Sequence, residues 1–325
     1  MQHPRHVLFV FLDGVGLGEA DHKQNPFSEL HLPAFERLAG GQPWTANARS
    51  VHEHDHAFIP IDATLGMLGF PQSGTGQASL FTGVNCAALA GKHFGPFPHS
   101  ATRPALKAHN IFRQIRTLGL PFVEPAGFAN AYPPRFFAIM SEQDRWTVTT
   151  RCCLDAGLPI RDERTLLQER ALAANITGAG FPASLNTPVI SEEEAGERLA
   201  RLSREHAFLL FEYYLTDKAG HSRSAEQAAL TLTSLDRFFG ALLPALSDDT
   251  LLIVTSDHGN IEDLSVKTHT LNPVPLVAVG PGAARFHDVR DLTGVVPAVV
   301  DVLARHYGIP VNEQGAASRA LHLSL

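Results

Sequence analysis

Residues 251–280 have the sequence LLIVTSDHGNIEDLSVKTHTLNPVPLVAVG, in which a polar segment lies between two apolar runs. The first run, LLIVTS, is short and rich in β-branched residues, and it predicts a buried strand that ends at Asp257 and His258. Ligands of open α/β sheets bind outside the carboxyl ends of the strands. Asp257, His258 and the nearby His269 are therefore candidate metal ligands, although a polar loop explains a single Asp-His-Gly tripeptide equally well.

Two other predicted strands also run into acidic residues. HVLFVFLD, residues 6–13, ends at Asp13 before a glycine-rich loop, and AFLLFEYY, residues 207–214, leads to Asp217 and His221. An acid at a strand end would repel a pyrophosphate, and no G-x-x-G continuation opens a helix, so a dinucleotide site is disfavoured. Taken alone, either segment fits a turn or a helix cap better than a metal site.

A glycine-punctuated turn, GFPQSGTGQASLFTG at residues 69–83, leads into an apolar helix. Free N–H groups and the positive end of the helix dipole favour an anion there, so a nucleophilic Ser73 or Thr75 could meet a phosphate. The alternative is that Ser73 only caps the helix.

Composition narrows the class of protein. The chain has 325 residues, and its 26 Lys and Arg against 33 Asp and Glu give a net charge of -7 without a basic run. This argues against a nucleic-acid or anionic-membrane partner. No segment approaches the roughly 18 continuous apolar residues of a membrane span. Three cysteines without metal-type spacing, Cys86, Cys152 and Cys153, favour a reducing compartment, and the cytoplasm is expected.

Strand and helix patterns alternate along most of the chain and predict a doubly wound, mostly parallel α/β sheet flanked by helices. Helices are expected over 104–118 and 225–246, among others. The alternation stops at 133–188, which contains one charged helix near 162–174 and many loops. We therefore expect a core formed by 1–132 and 189–325, with 133–188 as a small inserted cap.

The tract Val51–His56 places a histidine at every second position. His52, His54 and His56 would share one face if the tract is a strand, which would allow a separate metal site. A solvated polar loop is the favoured interpretation.

Three Asp and three His at the ends of predicted strands fit two metal ions better than one. Nitrogen and oxygen ligands suit Zn²⁺ or Mn²⁺. Two divalent ions carry +4 and three carboxylates carry -3, so the site would remain electropositive and attract a phosphate even in an acidic protein.

Five motifs resemble those of the alkaline phosphatase superfamily, in the branch of cofactor-independent phosphoglycerate mutase and phosphopentomutase. They are FLDGVG at 11–16, SGTGQ at 73–77, DKAGH at 217–221, SDHGN at 256–260 and KTHTLNPVPLV at 267–277. The resemblance implies an alkaline phosphatase-like core, one metal held by Asp217, His221 and His269, and a second held by Asp13, Asp257, His258 and the nucleophile.

The nucleophile of the family lies three residues before a glycine that is followed by His, which aligns Ser73 rather than Thr75 through Gly76. The chain departs from the family at Gln77, where His is common, and at Gln72, where Asn or Asp often precedes the nucleophile.

The resemblance implies phosphoryl transfer to Ser73 on a small phosphorylated metabolite. Water then gives a phosphatase, and return of the phosphoryl group gives a mutase. Mutases of this branch have a large cap with arginines, whereas the cap predicted here is short. Hydrolysis of a small phosphoester is therefore the favoured function, a mutase is the alternative, and a non-catalytic metal-binding module is a third. Candidate phosphate contacts, each with surface solvation as the favoured role, are Arg135, Arg145, Arg151 and Arg161.

Overall fold

The structure, a computed structural model, describes residues 3–310, apart from the side chain of Ala183. The strands are β1 (His6–Leu12), β2 (Val51–His52), β3 (His56–Ile61), β4 (Ala126–Phe128), β5 (Asn130–Tyr132), β6 (Arg161–Asp162), β7 (Leu172–Ala173), β8 (Phe208–Tyr213), β9 (Thr250–Thr255) and β10 (Val274–Val279). The α-helices are α1 (Pro26–Glu29), α2 (Pro33–Leu38), α3 (Ser73–Thr82), α4 (Cys86–Ala90), α5 (Arg103–His109), α6 (Ile111–Arg116), α7 (Pro134–Gln143), α8 (Val148–Ala156), α9 (Glu163–Leu167), α10 (Glu192–Ser203), α11 (Leu215–Ser222), α12 (Ala225–Ala245) and α13 (Val295–His306). Short 3₁₀ helices cover Ser100–Thr102, Ala183–Leu185, Ala283–Phe286 and Leu292–Gly294.

The large sheet has the strand order β2-β3-β10-β9-β1-β8-β4. β1 pairs in parallel with β8 and β9, and β4 pairs in parallel with β8, whereas β10 is antiparallel to both β9 and β3. β10 is antiparallel to both β3 and β9, so β3 is parallel to β9. Five of these seven strands therefore point the same way, namely β1, β3, β4, β8 and β9. The prediction of a mostly parallel α/β sheet is thereby confirmed.

Both faces of the sheet are covered, as the unbroken apolar sequence of β1 requires. Alternate residues of β1 from Val7 to Phe11 join a core with α3, α5, α8 and α13. The intervening residues, from Leu8 to Leu12, join a second core with α2, α10 and α12. The polar carboxyl ends of the central strands are thus the part of the sheet that is left for a site.

The segment 133–188 divides into two parts. Its strands β6 and β7 pair with β5, which precedes the segment, in a separate small sheet with its own apolar cluster, in which Leu166 and Ala173 are buried. Helix α8, in contrast, contributes Val148, Cys152 and Cys153 to the core that the large sheet forms with α3, α5 and α13. The boundaries of an inserted cap remain a prediction, but α8 packs as part of the core.

Two predicted helices differ from the structure. The helix expected over 104–118 is interrupted at Asn110, whose extended backbone ends α5 and whose side chain caps α6 by accepting a hydrogen bond from Arg113 N at 3.0 Å. The helix expected near 162–174 is replaced by β6, the short α9 and β7, because Asp162 caps α9 and the flanking residues pair with β5.

The histidine tract is not one continuous strand. His52 ends β2 and His56 begins the antiparallel β3, so a turn separates them, and the shared face that one continuous strand would have given does not form. Elsewhere, no helix within residues 3–310 is long and apolar enough to cross a membrane.

Candidate metal centre

A first cluster of metal-binding side chains lies where β1 and β9 end side by side. Asp13 directly follows β1, and Asp257 and His258 follow β9, its parallel neighbour. Nε2 of His258 lies 3.4 Å from Oδ1 of Asp13 and 3.6 Å from Oδ2 of Asp257. All three side chains are buried. Their donor atoms are close enough together to share one ion.

A second cluster contains Asp217, His221 and His269. Asp217 and His221 lie four residues apart in α11, which puts them on one face of that helix. Nε2 of His269 lies 3.2 Å from Nε2 of His221 and 3.6 Å from Oδ1 of Asp217. The sequence predicted these ligands in a loop after the strand, whereas the structure places two of them in a helix that begins two residues after β8.

The two clusters adjoin each other. The rings of His258 and His269 are stacked, with 3.7 Å between their centroids and an angle of 13° between their planes. The six predicted ligands, which span the sequence from residue 13 to residue 269, therefore form one continuous site.

Backbone carbonyls orient the histidines of the second cluster. Nδ1 of His269 lies 2.7 Å from the carbonyl oxygen of Pro71, and Nδ1 of His221 lies 3.2 Å from that of Lys267. Because a carbonyl only accepts hydrogen bonds, each Nδ1 carries the hydrogen and each Nε2 keeps a lone pair directed into the cluster.

The donor set fits divalent cations. Oδ1 of Asp13 and Oδ2 of Asp257 are buried and have no hydrogen-bond partner. Burial raises the pKa of Asp13 well above its usual value and that of Asp257 to about 7, with further contributions from neighbouring carboxylates. Burial also lowers the pKa of His258 to about 3, which keeps its ring neutral. Uncompensated carboxylates and a neutral imidazole are the groups that a divalent ion binds.

Ser73 is the first residue of α3 and lies at the edge of the first cluster. Its Oγ is 2.9 Å from Nε2 of His258. The N-cap residue is Gln72, which makes no side-chain cap, so the hydroxyl of Ser73 does not serve as the cap that the sequence allowed. Thr75 is fully buried, and its Oγ1 accepts a hydrogen bond from the backbone N–H of Phe94. The structure thus brings Ser73 to the cluster and places Thr75 in a packing role.

The geometry around His258 differs from that of a serine hydrolase triad. In such a triad the acid holds Nδ1 while the serine contacts Nε2. Here Ser73, Asp13 and Asp257 all approach Nε2, and the buried Nδ1 has no partner. The side-chain oxygens of all three residues thus gather around one nitrogen, as metal-ligand atoms do around a bound cation.

Two residues that support the site were not singled out from the sequence. Glu262 is buried and accepts hydrogen bonds from Gly16 N at 2.9 Å and from Asn260 N at 2.7 Å, as well as from the side chain of Thr270. Asn260, in turn, donates to Oδ1 of Asp217 at 2.6 Å. Glu262 belongs to none of the motifs and to no repeating sequence pattern, so nothing in the sequence indicated its role. Asn260 lies in the SDHGN motif and could have been identified there.

The site requires glycine at two positions of its loops. Gly14 has φ +69°, and a Cβ added there would lie 2.7 Å from Oδ1 of Asp217. A Cβ added to Gly259 would lie 2.1 Å from Oε1 of Glu262 and 2.2 Å from Oγ1 of Thr270. These close approaches explain the glycines that follow Asp13 and His258.

A cavity of about 690 Å³ opens onto Asp13, Ser73 and Asp217. Gln77, where the sequence departs from the family, also lines it and donates to Oδ2 of Asp13 at 3.3 Å. Buried Glu212 lies at the cavity as well, and burial raises its pKa to about 7. A small molecule that enters this cavity reaches both metal-binding clusters and the serine.

Residues 174–305 match the family model of the Metalloenzyme superfamily. This segment contains the second cluster, together with Asp257 and His258. The match implies divalent metal ions as cofactors.

Curated relatives match shorter segments. The 2,3-bisphosphoglycerate-independent phosphoglycerate mutase of Halobacterium salinarum is 36% identical over 104 residues, which are 29% of this chain and 20% of the relative. The phosphopentomutase of Mycoplasmopsis pulmonis is 30% identical over 118 residues, 36% of this chain and 30% of the relative. The matches thus span less than a third of each relative.

Solved structures show the same fold. The PH0037 protein from Pyrococcus horikoshii has a TM-score of 0.56 at 13% identity, and the alignment covers 93% of this chain and 98% of that one. Leishmania mexicana phosphoglycerate mutase has a TM-score of 0.51 at 12% identity, over 96% and 98% of the two chains. The alkaline phosphatase of the Antarctic bacterium TAB5 has a TM-score of 0.50 at 14% identity, over 93% and 99%. These structures confirm the predicted alkaline phosphatase-like fold, and the family-model match and the curated relatives confirm the predicted resemblance to this group of metalloenzymes.

Proposed function

We propose that this protein transfers a phosphoryl group to Ser73 with the help of two divalent ions and that the net reaction is hydrolysis of a small phosphoester. The observation that carries this proposal is the position of Ser73 Oγ, which opens α3 at the first cluster and faces the cavity. The backbone N–H of Thr75 already donates to the carbonyl of Phe94, so the N–H groups of Ser73 and Gly74 at the start of the helix would receive the phosphate oxygens.

The residues present fit two ions of the Zn²⁺ or Mn²⁺ type. Asp217, His221 and His269 would hold one, and the buried cluster together with Ser73 would hold the other. When bound, these ions would offset the charge of the carboxylates and lower the pKa of the Ser73 hydroxyl.

The chain's own groups then account for a reaction in two halves. In the first, Ser73 Oγ gives up its proton to solvent water, a bond forms between Oγ and phosphorus while the ester P–O bond breaks, and the leaving alkoxide takes a proton from water. In the second, water adds to phosphorus and the bond to Ser73 breaks. The released phosphate carries one oxygen from the solvent, and Ser73 recovers its proton.

The positions of the four candidate arginines support hydrolysis over mutase chemistry, because none of them is among the described residues that line the cavity. Arg151 pairs with Asp155 and Asp144, and Arg161 bonds to the carbonyl of Arg170 and to His206. The guanidinium group of Arg145 lies over the ring of Phe97, a lining residue, at 5.5 Å. A mutase must retain a polar intermediate while its phosphoryl group returns, and a site without guanidinium groups retains such an intermediate poorly.

A mutase is the second candidate, because the curated relatives include a phosphoglycerate mutase and a phosphopentomutase. Phosphorus NMR in ¹⁸O-water distinguishes the two. Metal-loaded protein should convert a phosphoester to free phosphate that contains the solvent label. Accumulation of an isomeric phosphoester without label would establish the mutase instead.

Ser73→Ala tests the nucleophile. The variant should keep most of its metal, since six other ligands remain, but lose turnover by several orders of magnitude. Thr75→Val serves as the control and should be far milder. A protein that binds metal fully yet converts no phosphoester would be the third candidate, a non-catalytic binding module.

A further inference from the structure

The cavity wall beside Ser73 is built largely from aromatic side chains. The rings that line it come from the loop after α4, the end of β5, the start of α7, the loop before the second 3₁₀ helix, and the start of α11. These residues are Phe97, Tyr132, Phe136, Phe181 and Tyr214.

Part of this wall is a preformed stack of aromatic rings. The rings of Tyr132 and Phe136 are stacked with 3.9 Å between their centroids and 15° between their planes. Trp146 packs edge-on against Phe136 at 6.2 Å. Three rings that fix one another lose little freedom when a ligand binds, so the surface can receive a flat group at low entropic cost.

The charged side chains that line the cavity disfavour substrates whose organic part carries a second anionic group. Among the described lining residues, Lys218 is the only cation, whereas Asp13, Glu212 and Asp217 are acidic. Asp13 and Asp217 belong to the two metal-binding clusters, where the metals would offset their charge. Among these lining residues a second phosphate or a carboxylate on the organic part of the substrate could pair only with Lys218.

We propose that the organic part of the phosphoester is an aromatic ring, carried on a short linker, that packs against the Tyr132–Phe136 surface. This names the substrate class of the proposed function and rests on it. The volume of about 690 Å³ lies in the range of sites for drug-sized ligands, larger than a three-carbon phosphoester requires. A nucleobase and a benzyl group share the required chemistry.

The test compares esters whose leaving groups are alkoxides of similar basicity. Metal-loaded protein should have a kcat/KM several-fold higher for benzyl phosphate than for cyclohexylmethyl phosphate. Adenosine 5′-monophosphate is compared with ribose 5-phosphate in the same way. A preference for the nucleotide identifies a nucleobase as the ring, and a preference in the benzyl pair alone identifies a simple aryl group. The absence of preference in both pairs would overturn the proposal.

A binding measurement separates this proposal from the proposed function. Benzylphosphonate and cyclohexylmethylphosphonate cannot transfer a phosphoryl group, and their affinities for metal-loaded protein can be measured by calorimetry. The aromatic phosphonate should bind more tightly and change the fluorescence of Trp146. If no ester is converted but this preference holds, phosphoryl transfer is wrong and the aromatic site stands. If esters are converted but the phosphonates bind equally, the aromatic site is wrong.

Phe136→Leu supplies the matched variant. It should lower kcat/KM for benzyl phosphate about threefold to tenfold more than kcat/KM for ethyl phosphate. Phe137→Leu is the control, because Phe137 lies on the same helix but is not among the lining residues. Equal losses on both esters in Phe136→Leu would show a structural role only and contradict the proposal.

Discussion

The carboxyl group of Glu212 is buried at the cavity, and one of its oxygens has no hydrogen-bond partner. Burial raises its pKa from 4.5 to about 7, so the folded state holds a proton that the unfolded state releases. The contribution of such a group to stability is greatest below the unfolded pKa and declines as pH rises through about 7.

Glu212→Gln should therefore raise the Tm of chelator-treated protein by several degrees at pH 8, because the glutamine never ionises. At pH 5, where folded Glu212 is protonated, the difference should largely disappear. Thermal unfolding at both pH values checks this, and Glu197→Gln, at an exposed position, should have no comparable effect. A gain of equal size at pH 5 would contradict the assignment to ionisation.

Gly259→Ala should lower the metal content of the protein. The added Cβ would approach Glu262 and Thr270 to nearly 2 Å, which forces Glu262 away from the N–H groups that hold the loop after β9. Elemental analysis measures the loss. The control is Gly240→Ala in α12, where a Cβ meets no atom within 4 Å. Full occupancy in the Gly259 variant would show that the loop tolerates the shift.

At the scale of the elements, helix α8 is the part of the segment 133–188 that packs into the core. Its residues Val148, Cys152 and Cys153 are fully buried against α3, α5 and α6, and α3 carries Ser73. Deleting 133–188 should therefore expose the core under α3 rather than remove an independent cap. We expect a loss of soluble protein, or a stability loss of several kcal/mol.

A narrower deletion that removes 159–188 and keeps α8 should be tolerated better, and Tm and soluble yield compare the two. A stable protein after the full deletion would restore the independent cap that the sequence predicted.

The elements that the sequence predicted well are those whose pattern arises from burial. The inner residues of β1 and β9 are apolar because both faces of the sheet are covered, and α12 was predicted to within one residue of its end. The failures lie where a single side chain caps a helix, as at Asn110 and Asp162. The motifs identified the candidate ligands, whereas Glu262 was missed because its role depends in part on Gly16, which is distant in the sequence.

At the scale of the molecule, the candidate ligands come from both ends of the chain, so bound metal should stabilise the global fold. Each ion at about 100 times its Kd adds roughly 2.7 kcal/mol, and removal of both should lower the Tm of a chain of this length by roughly 8 °C. The shift should be smaller at pH 6 than at pH 8. In the metal-free protein Asp257 titrates near pH 7, and an ion must displace that proton.

Thermal unfolding with and without chelator tests this at both pH values. His269→Ala, which removes one ligand of the second cluster, should show a reduced shift. An unchanged Tm after chelation of protein that elemental analysis shows to be loaded would refute the stabilising role.

The place of β1 in the sheet has a consequence during synthesis. β1 is made first among the described strands, yet its neighbours β8 and β9 begin only at Phe208 and Thr250. Until those residues leave the ribosome, a strand that is apolar from Val7 to Leu12 has two unpaired edges and no completed cores to cover it. We therefore expect the nascent chain to depend on chaperones, and chains truncated before residue 250 to aggregate rather than fold.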